Sequence, residues 1–297
     1  MKIVVSYRGI PQSPGWATGD LVVKAFRDLG HEVIAYAKYY QSDNWVQNRP
    51  MCRDVEPQPD LSKINGADLL VYMECNDGDP QYVELKNQCK TSVCWFFDTS
   101  YYPDNLTGLA NYFDFDYQFI ANPLDLDKFA YPVYLPYAID PEVHGRGWKE
   151  NKLIDIALVG SDREDRRELV RALNLKGVPV QLISGVFRED YINTLSDCKF
   201  IVNQNPDQGR GLLNMRHFEA QAAGACLIDM THDLAANRSS AAILSYSDID
   251  DIAKQYHYLM ETGEWVLAAQ SQQQRVFRND TYRNRCERIL EVVGETN

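Results

Sequence analysis

Short apolar, β-rich runs alternate with longer amphipathic stretches along almost the whole chain, and this alternation restricts the fold more than any other feature. Residues 2–7 (KIVVSY) read as a strand, and residues 20–29 as a helix with Leu21, Val22, Ala25, Phe26 and Leu29 on one face and Gly30 as its stop. HEVIAYA (31–37), DLLVYME (68–74) and SVCWFFD (92–98) follow as strands. The last two are nearly continuous in apolar character, as suits strands covered on both faces of a parallel sheet. YQFIAN (117–122) and PVYLPYA (132–138) close the first half, and the pattern restarts with LIDIALVG at 153–160. A polar helix from 162, the strand VPVQLIS (178–184), a helix from Glu189, the strand KFIVNQ (199–204), a helix over 213–223, ACLIDM (225–230) and a helical region over 248–293 complete it. Regular alternation predicts an α/β chain with parallel sheets. Its 297 residues suit two domains. The expectation is two Rossmann-like, doubly wound domains, 1–145 and 146–297, with the Pro- and Gly-containing stretch 140–152 as linker and the C-terminal helix crossing back to the N-terminal domain. Ligands in such sheets bind beyond the carboxyl ends of the strands.

Charge and cysteine usage narrow the function classes. Thirty Lys and Arg against 42 Asp and Glu leave a net charge of −12, which disfavours nucleic acid as a partner without excluding a local basic cleft. No apolar run is long enough to span a bilayer, and the N-terminus lacks the pattern of a secretion signal. The seven cysteines are odd in number, scattered and without C-x-x-C spacing. Reduced thiols and a cytoplasmic location are therefore expected, with no disulfide framework, no metal site and no bound cofactor.

Four loops carry candidate chemistry. The loop after the first strand holds Gly15 and Gly19, which allow close backbone approach to a ligand or simply form a βα turn; it is neither G-x-G-x-x-G nor a Walker loop. Gly160-Ser161 ends a strand just before a helix, an arrangement that cradles anions, with Arg163, Arg166 and Arg167 nearby. The acidic residues between them equally suit a solvated helix face. The segment 203–230 brings polar residues into a helix bearing Asn214, Arg216, His217 and Glu219. Arg216 suits a diphosphate and Glu219 the paired hydroxyls of a ribose, or the two form a surface ion pair at i, i+3. Lastly, Asp98 directly follows an apolar strand, as Glu74 and Asp77 follow another; a carboxylate there can serve as general base or can cap a turn.

Several segments, taken in order, resemble one family. WFFDTSYYP, FDYQFIANP, YLPYAIDPEVH, DIALVGSDREDRRELVRAL and GLLNMRHFEAQAAGACLI, with SYSDIDDIAKQ and the closing FRNDTYRNRCERIL, are similar to the CgeB-like (spore-maturation-type) glycosyltransferases of the GT-B fold. The resemblance covers roughly residues 92–290. It implies two Rossmann-like domains facing across a cleft, the acceptor on the N-terminal one and a nucleotide-diphosphate sugar, as co-substrate, on the C-terminal one. By position, Glu219 would bind the donor ribose, Arg216 the diphosphate or sugar, and Gly160 and Ser161 the phosphate through their N–H groups. Gly15, Arg210, Asn214 and His217 would complete the donor site, and Asp98 would be the acceptor-side base, with Arg216 its catalytic partner at the leaving group. No metal is implied. Related retaining enzymes carry a second Glu eight positions before the ribose Glu, where this chain has Gly211, with Arg210 and Asn214 the nearby polar groups.

Two other readings stay open on the sequence. One is a nucleotide-sugar epimerase on the same architecture. The other is a non-catalytic GT-B-like protein binding a nucleotide or a partner, which Gly211 favours. The acceptor class is equally open among glycan, protein, small molecule and modified nucleobase.

Overall fold

The computed structural model describes residues 1–8, 16–38, 61–73, 80–97, 99, 107–108, 110, 113–204, 213–229, 244–245 and 249–294. It divides into two compact units, Met1–Leu135 with Tyr282–Asn297, and Pro136–Thr281.

The first unit is built on a six-stranded parallel sheet of order β2-β1-β3-β4-β5-β6. Its strands are β1 (Lys2–Arg8), β2 (Glu32–Lys38), β3 (Ala67–Met73), β4 (Cys89–Phe96), β5 (Tyr117–Ile120) and β6 (Pro132–Tyr134). Helix α1 (Thr18–Asp28) stops at Gly30, whose φ of 84° is the left-handed turn expected there. Helix α2 (Pro80–Asn87) precedes β4. Alternate residues of each central strand point to opposite faces, and both faces are covered, so the apolar runs are continuous. Val4, Leu70, Tyr72, Cys94, Phe96 and Ile120 pack one core with Phe113 and Phe115.

The second unit carries a five-stranded parallel sheet of order β11-β10-β9-β7-β8. The strands are β7 (Ile154–Val159), β8 (Gln181–Ile183), β9 (Cys198–Asn203), β10 (Cys226–Asp229) and β11 (Leu244–Ser245). Its helices are α3 (Pro141–His144), α4 (Glu164–Leu175), α5 (Arg188–Asp197), α6 (Met215–Ala222), α7 (Ile249–Thr262) and α8 (Trp265–Asn279). Ile156, Leu158, Phe200, Val202, Cys226 and Ile228 form its core with residues of α4, α7 and α8. The stretch expected as a linker, 140–152, folds inside this unit. Asp140 caps α3 by accepting from Glu142 N at 2.8 Å and Val143 N at 3.1 Å, and His144 and Lys152 are buried. Proline here starts a capped helix rather than a flexible connector.

The last described helix, α9 (Tyr282–Gly294), belongs to the first unit. It lies on α1: Cys286 Sγ meets the Val22 carbonyl at 3.9 Å, and Tyr282 stacks edge-on against Trp95 with centroids 6.4 Å apart. No helix among the described residues is long and apolar enough to cross a membrane. Cys89, Cys94, Cys198, Cys226 and Cys286 are free thiols, and burial pushes every one of them up, Cys198 and Cys226 to about 12.

Candidate functional site

Polar residues of the second unit gather at the carboxyl ends of β7, β9 and β10. Strand β7 runs into Gly160, whose φ of 152° is closed to most side chains. Its N–H donates to the Ile183 carbonyl at 2.9 Å, so this donor is already committed within the sheet edge. A Cβ at this position would collide with Arg216 Nη2 and lie 2.7 Å from Arg166 Nη1. Two guanidinium groups thus converge on one glycine. Arg166, buried in the first turn of α4, turns back to donate to Ser161 O at 2.7 Å and Ser161 Oγ at 2.9 Å. Arg163 and Arg167 behave differently. They pair at the surface with Asp165 and with Asp162 and Glu164, and hold the Asp165 and Glu164 carboxyls below their ordinary range. The solvated-face reading holds for those two arginines and not for Arg166.

Arg216 reaches this point from α6. Asn214 is the N-cap and accepts from His217 N at 3.1 Å. Arg216 Nη1 and Asn214 Nδ2 both donate to Asn203 Oδ1, at 3.0 and 3.1 Å. Asn203 Nδ2 donates to Asp229 Oδ1 at 3.2 Å, and the other oxygen of Asp229 bonds His217 Nδ1. Asn203 and Asp229 end neighbouring strands and face each other in register. Asn203, His217 and Asp229 have no exposed surface at all. His217 therefore faces the interior, behind Arg216. Arg216 Nε is buried and meets no acceptor among the described residues.

One helical turn on, Glu219 is 7% exposed, which rules out a surface Arg–Glu pair. Its Oε2 accepts from Tyr191 OH at 2.8 Å, and its Oε1 faces His144 Nε2 at 3.7 Å. His144 Nδ1 lies 2.9 Å from the Asp140 backbone N–H, which holds the ring with its Nε2 edge toward Glu219. Burial, with the neighbouring Glu219 carboxylate, pushes the Tyr191 phenol well above the ordinary range, against the opposing charge of Arg216.

In the first unit, Gly19 is a packing residue: a Cβ there would enter the Tyr7 ring, and Tyr7 OH donates to Asp20 Oδ1 at 2.6 Å. Asp98 lies outside the described residues, as do Gly15, Glu74, Asp77, Arg210 and Gly211. Its neighbour Thr99 is anchored, donating to buried Asp125 at 2.5 Å, where Asn122 also donates at 2.8 Å.

Sequence reasoning gave no individual role to Arg166, Tyr191, Asn203, Asp229 or His144. Asp229 carried a readable signal, a carboxylate inside the apolar run ACLIDM. Asn203 carried the one used for Asp98, a polar residue directly after a buried strand. Tyr191 and His144 sit in ordinary helical contexts, and only the fold brings them to Glu219.

A family model described as glycosyl transferase-like matches residues 135–291. No curated protein matches the chain in sequence. Among solved structures, an α-glucosyltransferase in complex with UDP and a 13-mer DNA containing a central A:G mismatch is similar over 99% of this chain and 100% of that one, with a TM-score of 0.66 and 12% identity. HepE of Anabaena in complex with UDP-glucose covers the same shares at TM-score 0.63 and 12% identity. UDP-GlcNAc 2-epimerase from Neisseria meningitidis bound to UDP-GlcNAc also covers 99% and 100%, at 0.52 and 10%. At these identities the likeness is one of fold, and with two parallel-sheet units it is the GT-B fold.

Proposed function

The chain belongs to the glycosyl transferase-like family, and we propose that it moves a sugar from a nucleotide-diphosphate donor, held by the second unit, to an acceptor hydroxyl without a metal ion. The convergence of Arg166 and Arg216 on Gly160 is the observation that carries this reading. Two unit charges of one sign 4 Å apart repel by about 4 kcal/mol at the effective dielectric of a protein surface. Holding two guanidiniums together suits a dianion that offsets the repulsion, as a diphosphate does. In a chain of net charge −12, such a pairing also selects where an anion binds.

In this reading the diphosphate lies over Gly160-Ser161. With the Gly160 N–H committed to Ile183, the charge is met by the two arginines and Ser161. Glu219 takes the ribose hydroxyls with the carboxylate held by Tyr191 and His144, while Asn214 and His217 support Arg216. Arg210 and Gly15 remain candidate donor contacts. An acceptor oxygen forms a bond to the anomeric carbon as the bond from that carbon to the phosphate oxygen breaks. The diphosphate leaves with the electron pair, stabilised by Arg216 and Arg166, and the acceptor proton passes to Asp98 as general base. UDP is the first donor nucleotide to test, since the similar structures hold UDP or UDP-sugars. Membership of the CgeB-like subgroup and a cytoplasmic location complete the proposal. The acceptor is an open class: glycan, protein, small molecule or modified nucleobase.

The deciding experiment is a thermal-shift panel of UDP, GDP, dTDP, CDP and ADP on wild type and Glu219→Ala. Ligand binding to the native state alone adds RT ln(1 + [L]/Kd), about 2.7 kcal/mol at 100 Kd. A shift with one nucleotide that Glu219→Ala abolishes supports the donor site. No shift with any of them overturns it in favour of a GT-B-like protein without a nucleotide donor.

A further inference from the structure

We propose that Asn203 and Asp229 are positioning residues for Arg216, forming a buried relay that locks one side-chain amide in the single orientation presenting an acceptor to the guanidinium. The proposal rests on the reading of Arg216 as a diphosphate contact.

The oxygen and the NH2 of a primary amide have nearly the same shape and opposite hydrogen-bonding sense, so a buried Asn is held in one orientation only by its partners. Asn203 has two donors on one side, Arg216 Nη1 and Asn214 Nδ2. Flipping the amide would turn an NH2 group against both. Arg216 and Asn214 favour the observed orientation, but both are only half-buried and can swing away. Asp229 is fully buried and supplies acceptor oxygens, so it fixes the amide from the other side. His217 Nδ1 holds the second carboxylate oxygen, and its helix is capped by the same Asn214 that donates to Asn203. The relay therefore closes on itself around α6.

Its product is directional. With Nη1 tied to Asn203, the guanidinium lies with Nη2 over Gly160, next to Arg166. A buried polar trio of this kind is costly, and apolar residues of similar volume are often at least as stabilising. Fold stability alone therefore does not call for it. A guanidinium that must meet a phosphate without reorganising does.

The test is calorimetric titration with whichever of UDP, GDP, dTDP, CDP or ADP binds the wild-type chain. Asp229→Leu and Asn203→Leu are each expected to weaken binding about tenfold, the equivalent of one charge-assisted hydrogen bond misplaced. Asp229→Asn keeps an acceptor for Asn203 and is expected to recover most of that loss. In an Arg216→Ala background the same substitutions are expected to change affinity less than twofold, because there is no guanidinium left to aim. Additive losses in that background, or an Asp229→Asn as impaired as Asp229→Leu, overturn the relay. Nucleotide binding indifferent to Arg216→Ala overturns the diphosphate contact instead, and no binding by wild type overturns both. Circular dichroism checks folding. If Asp229→Leu does not fold, Asn203→Ser carries the same cycle, and affinities too weak for calorimetry are read from thermal midpoints at millimolar nucleotide.

Discussion

The phenol of Tyr191 donates to Glu219 Oε2 at 2.8 Å and so holds a buried carboxylate from a different helix. A hydrogen bond to a charged, buried group contributes more than an ordinary one, and losing the donor leaves the acceptor undersatisfied. Tyr191→Phe is therefore expected to lower unfolding stability by about 1–3 kcal/mol. Urea denaturation monitored by fluorescence checks this. An unchanged midpoint would mean that water, and not Tyr191, supports Glu219.

Arg166 and Arg167 are neighbours in sequence with opposite expectations. Arg166 turns back to Ser161 beside Arg216, whereas Arg167 pairs in solvent with Asp162 and Glu164. Exposed pairs of that kind contribute roughly 0–1 kcal/mol. Arg166→Ala is expected to weaken nucleoside-diphosphate binding at least tenfold, as loss of a buried charge-assisted contact does, and Arg167→Ala to leave it within twofold. Parallel titrations of the two variants separate the anion site from the solvated face.

Gly160→Ala tests the approach of the two guanidiniums. The added methyl would contact Arg216 and Arg166 directly, on a backbone with φ of 152°. Strain of this type costs about 1–3 kcal/mol. Nucleotide affinity should fall further than stability, because both cations are pushed off the phosphate position. A variant that loses stability but keeps wild-type affinity would place the phosphate elsewhere.

Lys152 gives a pH signature. It is buried, its Nζ donates to the Ser196 carbonyl at 2.8 Å, and burial lowers it to about 8 from 10.5. The unfolded chain holds that proton more tightly. Between pH 8 and 10.5 unfolding takes up a proton, so the stability due to this residue rises with pH across that window and is smallest below it. Thiols such as Cys198, pushed up to about 12, act in the opposite sense. Comparison with Lys152→Met isolates the lysine: the wild-type minus variant stability should climb from pH 8 to 10, and a flat difference would refute a neutral buried amine.

The alternation of strands and helices was legible because both faces of each sheet are covered, which leaves runs such as IALV and FIV apolar throughout. Helix ends were legible where a glycine must take positive φ, as at Gly30. The site was legible only where residues lie close in sequence: Gly160-Ser161, and Asn214 through Glu219. Asn203 and Asp229 come from two strands whose adjacency is set by sheet order, and strand order leaves no local trace in composition. For His217, which the resemblance places in the donor site, the sequence does not show the direction of the ring: neighbours on a helix point about 100° apart, and this one faces inward, toward Asp229. The linker expectation failed because Pro, Gly and charge mark a capped turn as readily as a hinge.

The return of α9 to α1 sets an order of events during synthesis. Residues 1–135 leave the ribosome before the second unit, yet the surfaces that receive Cys286 at α1 and Tyr282 at Trp95 stay bare until residues 282–294 have been made. The second unit, contiguous in sequence, can finish folding before the first. A nascent chain halted near residue 281 would carry one completed unit and one with an open apolar flank, the form that calls for chaperone cover.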